Sequence, residues 1–326
     1  MLKAEGEKMK NRGGDSRRQF ICRTGKMLAF AATRPWRVNA QTAAATKTRL
    51  ILLGTGGGPR PRKNSFPSSQ VILINKAAYV IDCGNGVAIQ LARAGVPLPT
   101  LRHVFITHHH SDHNADYGNL LLLAWTSGLQ TRVDTWGPPP LTRMTRLFFE
   151  MNADDIKTRI VDEGKIPLAP LVQTHELTQG GTVMQDENVK VRCVLVDHPP
   201  VKPAFGYRFD SSDRSIVISG DTKYSDALIR LAQGADVLVH ESLYVPAIDR
   251  LAARVPNGVA LKKSILSHHT AAEDVGRVAA AAGVKTLVLS HFVPPDDPEV
   301  TDQMWLDGAQ RTFKGQIIVG KDLLEI

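Results

Sequence analysis

Thr107-His108-His109-His110-Ser111-Asp112-His113 is the stretch on which the fold turns. It follows the apolar run Val104-Phe105-Ile106, so it lies on a loop at a strand end. Its spacing is H-x-H-x-D-H. Imidazole and carboxylate are the groups zinc prefers, at about 2.0–2.2 Å. His108 and His110 can face one metal while Asp112 and His113 turn toward a second. A solvated histidine-rich loop is the competing reading, and four ligand-type residues packed so closely count against it.

Working outward, three more apolar runs end in residues of the same kind. His198 follows Val194-Leu195-Val196-Asp197, Asp221 follows Ile216-Val217-Ile218-Ser219-Gly220, and His291 follows Leu287-Val288-Leu289-Ser290. One strand-end histidine alone is more often a satisfied structural residue. Three such ends together with the cluster point to metal. Two zinc ions need about seven protein ligands when one carboxylate bridges them.

The rest of the pattern alternates strands and helices from Thr48 onward. Strands are expected at 49–53, 70–74, 78–81, 103–107, 189–196, 205–209, 215–218, 236–240, 286–290 and 316–319. Helices are expected at 87–94, 117–125, 141–151, 225–233, 271–282 and 302–313. Residues 152–182 show weak periodicity and read as a lid or irregular insert beside the site. Strands covered by helices on both sides give an α/β class, a four-layer αββα sandwich.

These residues carry a resemblance. The chain resembles the ribonuclease Z and zinc-dependent arylsulfatase branch of the metallo-β-lactamase superfamily over nearly all of residues 49–326. The matching segments are Leu52-Leu53-Gly54-Thr55-Gly56, Asp82-Cys83-Gly84, the His108–His113 cluster, Phe205-Gly206-Tyr207-Arg208, Ser219-Gly220-Asp221-Thr222, Val239-His240-Glu241 and Ser290-His291-Phe292. The resemblance implies one zinc ion on His108, His110 and His198. It implies a second on Asp112, His113 and His291, with Asp221 and a hydroxide bridging the two. Asp82 would order the ligand loop from beneath. The family's His-Ser-Thr element corresponds to His268-His269-Thr270, and the resemblance implies that His268, oriented by Glu241, helps to stabilise or protonate the departing group. His269 stands where the family has serine, and an alignment shifted by one residue would exchange the two histidines. Asp112, His268 and Glu241 are thus the catalytic candidates. Helix-capping or surface histidines are the plainer reading of 268 and 269. His109 is expected to face away from the metals, and His103, His175 and His240 read as surface or core residues. Gly54 to Gly58 lacks the Lys-Ser/Thr ending of a phosphate loop and reads as a turn near the site.

Charge bears on the substrate. The chain has 326 residues and a net charge of +8, with ten of its 40 Lys and Arg and three of its 32 Asp and Glu inside residues 1–40. The remainder holds 30 basic against 29 acidic residues, and such a body offers no evident field for nucleic acid. The basic segment contains Ser16-Arg17-Arg18-Gln19-Phe20-Ile21, a twin-arginine pattern, then the apolar 27–32 and the small-residue site Val38-Asn39-Ala40. Residues 1–40 are expected to be a signal handled by the twin-arginine export machinery, and residues 41–326 a single hydrolase domain that is periplasmic or secreted. A disordered basic tail is the alternative. No apolar run reaches the roughly 18–20 residues of a membrane span. Of the three cysteines, Cys22 falls in the signal, while Cys83 and Cys193 lie in apolar runs and read as buried thiols.

Two zinc ions per chain are expected as cofactor, with manganese or iron as alternatives. Such a site serves several esters, so fold alone does not select one. The connection from Phe209 to Ser215 is short where tRNA-processing relatives carry a long arm. A small-molecule ester of the arylsulfate kind ranks first, with Leu120–Trp125 and the region of Phe148 as an apolar wall for its leaving group. A phosphodiesterase on small nucleotides or lipid head groups is second, ahead of a ribonuclease Z-type tRNA endonuclease. A metal-binding accessory protein without catalysis is the non-enzyme alternative. A homodimer is left open.

Overall fold

Side chains on a strand alternate between two faces, so a strand buried on both faces reads as a continuous apolar run. The computed structural model describes residues 47–326. The twin-arginine segment, the cleavage point after Ala40 and Cys22 lie outside the described residues.

The first half contains β1 (Arg49–Gly54), β2 (Ser69–Ile74), β3 (Ala77–Ile81), α1 (Val87–Arg93), β4 (Leu101–Phe105), α2 (Ser111–Asn114), α3 (Tyr117–Thr126), β5 (Val133–Gly137), α4 (Leu141–Met151), α5 (Ala153–Asp162) and β6 (Val172–Glu176). The second contains β7 (Gly181–Gln185), β8 (Val189–Leu195), β9 (Phe205–Ser211), β10 (Ser215–Ile218), α6 (Asp226–Ala232), β11 (Val237–Leu243), α7 (Ile248–Ala253), α8 (Gly258–His268), α9 (Ala272–Ala282), β12 (Thr286–Val293), α10 (Asp302–Gln310) and β13 (Gln316–Val319). The first sheet runs β1-β2-β3-β4-β5-β6 and the second β13-β12-β11-β10-β9-β8-β7. Each begins with antiparallel pairs and continues parallel: β1 to β3, then β3 to β6, and β7 to β10, then β10 to β13.

Three apolar layers separate four structural ones. Leu50 and Leu52 of β1 enter the core between the sheets, with Ile72, Phe105, Phe205 and Tyr207. Ile51 and Leu53 of the same strand enter an outer core against Leu91 of α1 and Leu120 of α3. The second sheet repeats this: Ile216 and Val239 face inward, whereas Val217 and Leu238 pack on Leu228 of α6, Val275 of α9 and Trp305 of α10. The result is the αββα sandwich expected from the sequence.

Three regions differ from the sequence reading. Residues 152–182 are not irregular: they hold α5 and the edge strand β6 and reach the start of the edge strand β7, and so carry the chain from one sheet to the other. The helix around Leu120–Trp125 is not a pocket wall, because Leu120, Leu121, Ala124 and Trp125 are all buried, and a helix apolar on all sides belongs inside. Phe148 packs its ring on Gly118, where an added Cβ would come within 2.3 Å. Residues 245–268, read as neither helix nor strand, hold the helix pair α7 and α8 leading to His268.

Candidate metal centre

The ends of strands from both sheets bring the site together. β4 ends at Phe105, His108 follows on the loop, and His110 takes extended backbone before α2 carries Asp112 and His113 on its first turn. β8 leads to His198, and β10 leads through Gly220 to Asp221. Gly220 has φ +61°, and an added Cβ would sit 2.6 Å from the Phe205 carbonyl oxygen, so this turn requires glycine. His291 does not end its strand. It lies inside β12 as an unpaired extra residue, between Ser290 opposite Glu241 and Phe292 opposite Ser242, with φ +45°. This bulge re-aims the imidazole toward the other ligands.

Nitrogen geometry leaves lone pairs facing one another. His113 Nδ1 donates to Asp82 Oδ2 at 2.7 Å, and His198 Nδ1 donates to the His268 carbonyl at 3.0 Å. The Thr107 hydroxyl donates to Asp82 and accepts from His108 Nδ1 at 3.1 Å. All three rings therefore turn a bare Nε2 toward the centre. His108 Nε2 lies 3.0 Å and His198 Nε2 3.2 Å from His110 Nδ1. His113 Nε2 lies 3.2 Å from His291 Nε2. Two bare nitrogens repel, yet about 3.3 Å is the edge of a tetrahedron drawn with zinc–nitrogen bonds of about 2.05 Å.

Asp221 joins the two sets. Its Oδ2 lies 3.9 Å from His108 Nε2 and 3.8 Å from His198 Nε2. Its Oδ1 lies 3.3 Å from His113 Nε2 and 3.2 Å from His291 Nε2, and this buried oxygen has no hydrogen-bond partner. Asp112 Oδ2 completes the second set, 3.3 Å from His291 Nε2. Thus His108, His110, His198 and Asp221 form one four-donor group, and Asp112, His113, Asp221 and His291 another. All seven residues named as ligands from the sequence are brought together.

Charge fits cations here. Asp82, Asp112, Asp221 and Glu241 are all buried, and among the described residues their ion-pair partners are histidines alone. Burial alone would lower the His113 pKa, but Asp221, Asp82 and Asp112 outweigh it and hold it well above its ordinary value. Carboxylates that would hold a proton there will equally hold a metal ion in its place. His108 lies well below the ordinary value because of burial and then the neighbouring His113, which keeps it a neutral ligand. The donor set and the unpartnered Asp221 oxygen fit divalent metal, and imidazole with carboxylate fits zinc.

Glu241 pairs with His269 and not with His268, which corrects the sequence alignment. His269 Nδ1 lies 3.1 Å from each Glu241 carboxylate oxygen and 3.9 Å from Asp221 Oδ2. The cause is local: α8 ends at His268, and His269 takes extended backbone (φ −118°, ψ 162°), so the two rings leave in different directions. Burial pulls the His269 pKa down, but Glu241 outweighs it and raises it to about 9. His268 packs its ring 4.7 Å from that of His198, and burial, then His269, lower its pKa to about 4.

The other histidines lie apart from the ligand set. His109 turns away to the Pro138 carbonyl and Asn114, His175 stacks on Trp136, and His103 stacks on Tyr79. His240 is fully buried. Sequence reasoning missed Thr107, whose backbone N–H and hydroxyl both bond Asp82, and Arg62, which grips the Gly56–Gly58 turn. An arginine four residues after the end of a glycine run was the available signal.

Comparison with known proteins agrees with this geometry. The family described as the beta-lactamase superfamily domain matches residues 78–292. A relative named ribonuclease Z from Mycobacterium bovis is 33% identical over 277 residues, covering 84% of this chain and 96% of its own. Another ribonuclease Z, from Mycobacterium sp. (strain KMS), is 32% identical over 276 residues, with 84% and 94% covered. The metallo-β-lactamase fold protein YhfI from Bacillus subtilis superposes with a TM-score of 0.62 at 20% identity, covering 86% of this chain and 98% of that one. Human tRNase Z, short form, gives 0.60 at 20% identity, with 85% and 98% covered. By sequence and by fold, this chain belongs to the metallo-β-lactamase superfamily, on its ribonuclease Z branch, and is a metal-dependent hydrolase.

Proposed function

We propose that the protein is a metal-dependent phosphodiesterase. The observation that carries this reading is the His269–Glu241 pair set at the edge of two donor groups that share Asp221. These groups would hold divalent ions, which when bound would supply Lewis-acid charge and an activated water. The chain's own residues supply the rest. Glu241 keeps His269 protonated, so the imidazolium can give its proton to the departing oxygen. Asp112, held ionised by His113 and His291 against its burial, can accept one. His268, neutral and packed on His198, lines the site instead.

The names of the relatives move a phosphodiester ahead of the aryl sulfate ranked first from sequence, which becomes the second choice. One observation favours a small phosphodiester over RNA. β9 and β10 are joined by a tight turn, closed by Ser211 N–H donating to the Arg214 carbonyl at 3.0 Å, and no arm projects there. The test is zinc-loaded enzyme on an aryl phosphodiester, an aryl sulfate and a precursor tRNA. Turnover of the phosphodiester well above the sulfate is expected. Faster turnover of the sulfate overturns the reading, and site-specific tRNA cleavage with a sluggish small diester overturns the preference for small substrates.

A further inference from the structure

We propose that Arg62 is a positioning residue for the half of the metal centre formed by Asp112 and His291, acting through the Gly56–Gly58 turn. It rests on the reading of the site as dinuclear.

The Arg62 guanidinium donates to three successive carbonyls. Nη2 reaches Gly56 O at 3.0 Å, and Nη1 reaches Gly57 O at 3.1 Å and Gly58 O at 2.7 Å. Nε donates to Ser65 Oγ at 3.1 Å. Three glycines give a turn no side-chain anchor of its own, and carbonyls aimed at one point repel unless a donor stands there. A planar fork of N–H groups suits that task, whereas an ammonium is a single point of charge.

The far side of this turn meets both residues. Gly58 N–H donates to Asp112 Oδ2 at 2.7 Å, the same oxygen that faces His291 Nε2. A Cβ on Gly57 would come within 2.8 Å of His291 Cε1 and 2.9 Å of its Nδ1, so the turn backs directly onto that ring. Gly57 N–H also bonds the Phe292 carbonyl at 3.0 Å, fixing the turn to the bulged strand. The other donor group has separate supports: Thr107 behind His108 and the His268 carbonyl behind His198. Loosening the turn should therefore weaken one metal position and spare the other.

The experiment is equilibrium binding of Zn²⁺ to the purified full chain against a competing chelator, reading zinc per chain by elemental analysis. The wild type should bind two ions. Arg62→Met should keep one at wild-type affinity and bind the other about 10–100-fold more weakly, the scale for losing a partner that orients ligands. Arg62→Lys should lose most of the same affinity despite keeping its charge. Arg60→Met, which removes an exposed charge two residues away, should bind as wild type. Circular dichroism checks folding, and if Arg62→Met does not fold, Arg62→Lys carries the comparison. Two ions bound normally by the folded Arg62 variant, or equal weakening of both, overturns the inference. A wild type that binds only one ion fails differently: it removes the dinuclear reading and this inference with it.

Discussion

Glu241 offers both carboxylate oxygens to one nitrogen: Nδ1 of His269 lies 3.1 Å from each. This leaves the opposite ring nitrogen for a substrate atom. His269→Ala should cut turnover by about 10²–10⁴-fold, the usual scale for a general acid, and the loss should shrink for good leaving groups. His268→Ala should cost far less. Steady-state kinetics on a series of aryl esters checks both, and equal losses at the two positions would remove the assignment.

The pH profile tests the same pair. An acid must be protonated, so activity should fall as pH rises through the His269 pKa. Glu241 holds that pKa up, and Glu241→Gln should move the alkaline fall to lower pH. A profile unchanged by the substitution would place the acid elsewhere.

Asp221→Ala should bind less metal than wild type and lose nearly all activity, because its two oxygens serve different donor groups. Elemental analysis of the purified variant is the check. Two ions fully retained would show that Asp221 does not bridge.

Away from the site, Asp236 accepts from Ser215 N–H, the Ser215 hydroxyl and Lys285 Nζ. Burial would raise its pKa, but Lys285 and Ser215 outweigh that and hold it down to about 2. A depressed carboxyl stabilises the fold above its unfolded value of about 3.9 and ceases to do so as pH falls through its folded value. Asp236→Asn should cost about 1 kcal/mol at pH 7, modest because the pair is partly solvated. The gap between variant and wild type in urea unfolding should narrow below pH 4. A gap independent of pH would deny the charge its part.

Cys83 and Cys193 are buried free thiols. Burial holds Cys83 well above the usual thiol range and pushes Cys193 up to about 11. Iodoacetamide at pH 8 should leave both unmodified in the folded chain and modify both in urea, as read by peptide mass spectrometry. Rapid labelling of either in the folded protein would contradict this.

What the sequence showed and what it hid follow from burial. The strands preceding His108, His198 and Asp221 are apolar runs that stop at polar residues, and the apolar run 287–289 gives way to Ser290 and His291 inside β12, so these residues stand out as punctuation. Elements with little buried surface carried no such signal. α5 has no fully buried residue and no side-chain cap, and β6 and β7 are short sheet edges with half-exposed side chains. The segment with α7 and α8 is broken by Pro256 and Gly258, and α7 has six residues. The choice between His268 and His269 depends on where α8 stops, and a one-residue boundary is not written in composition. The bulge at His291 is likewise a matter of pairing with β11, and only the paired strands reveal it.

Each donor group draws on both halves of the chain: His108 and His110 meet His198, and Asp112 meets His291 from 179 residues away. An ion seated there therefore ties a knot between the two sheets, closing a very long loop as a covalent cross-link would. It does so reversibly, at a strength set by the free metal around it, because whatever binds only the folded chain stabilises it by mass action. The stability of the folded chain would thereby be coupled to the metal supply of its surroundings, and a chelator would act on its architecture as well as its chemistry.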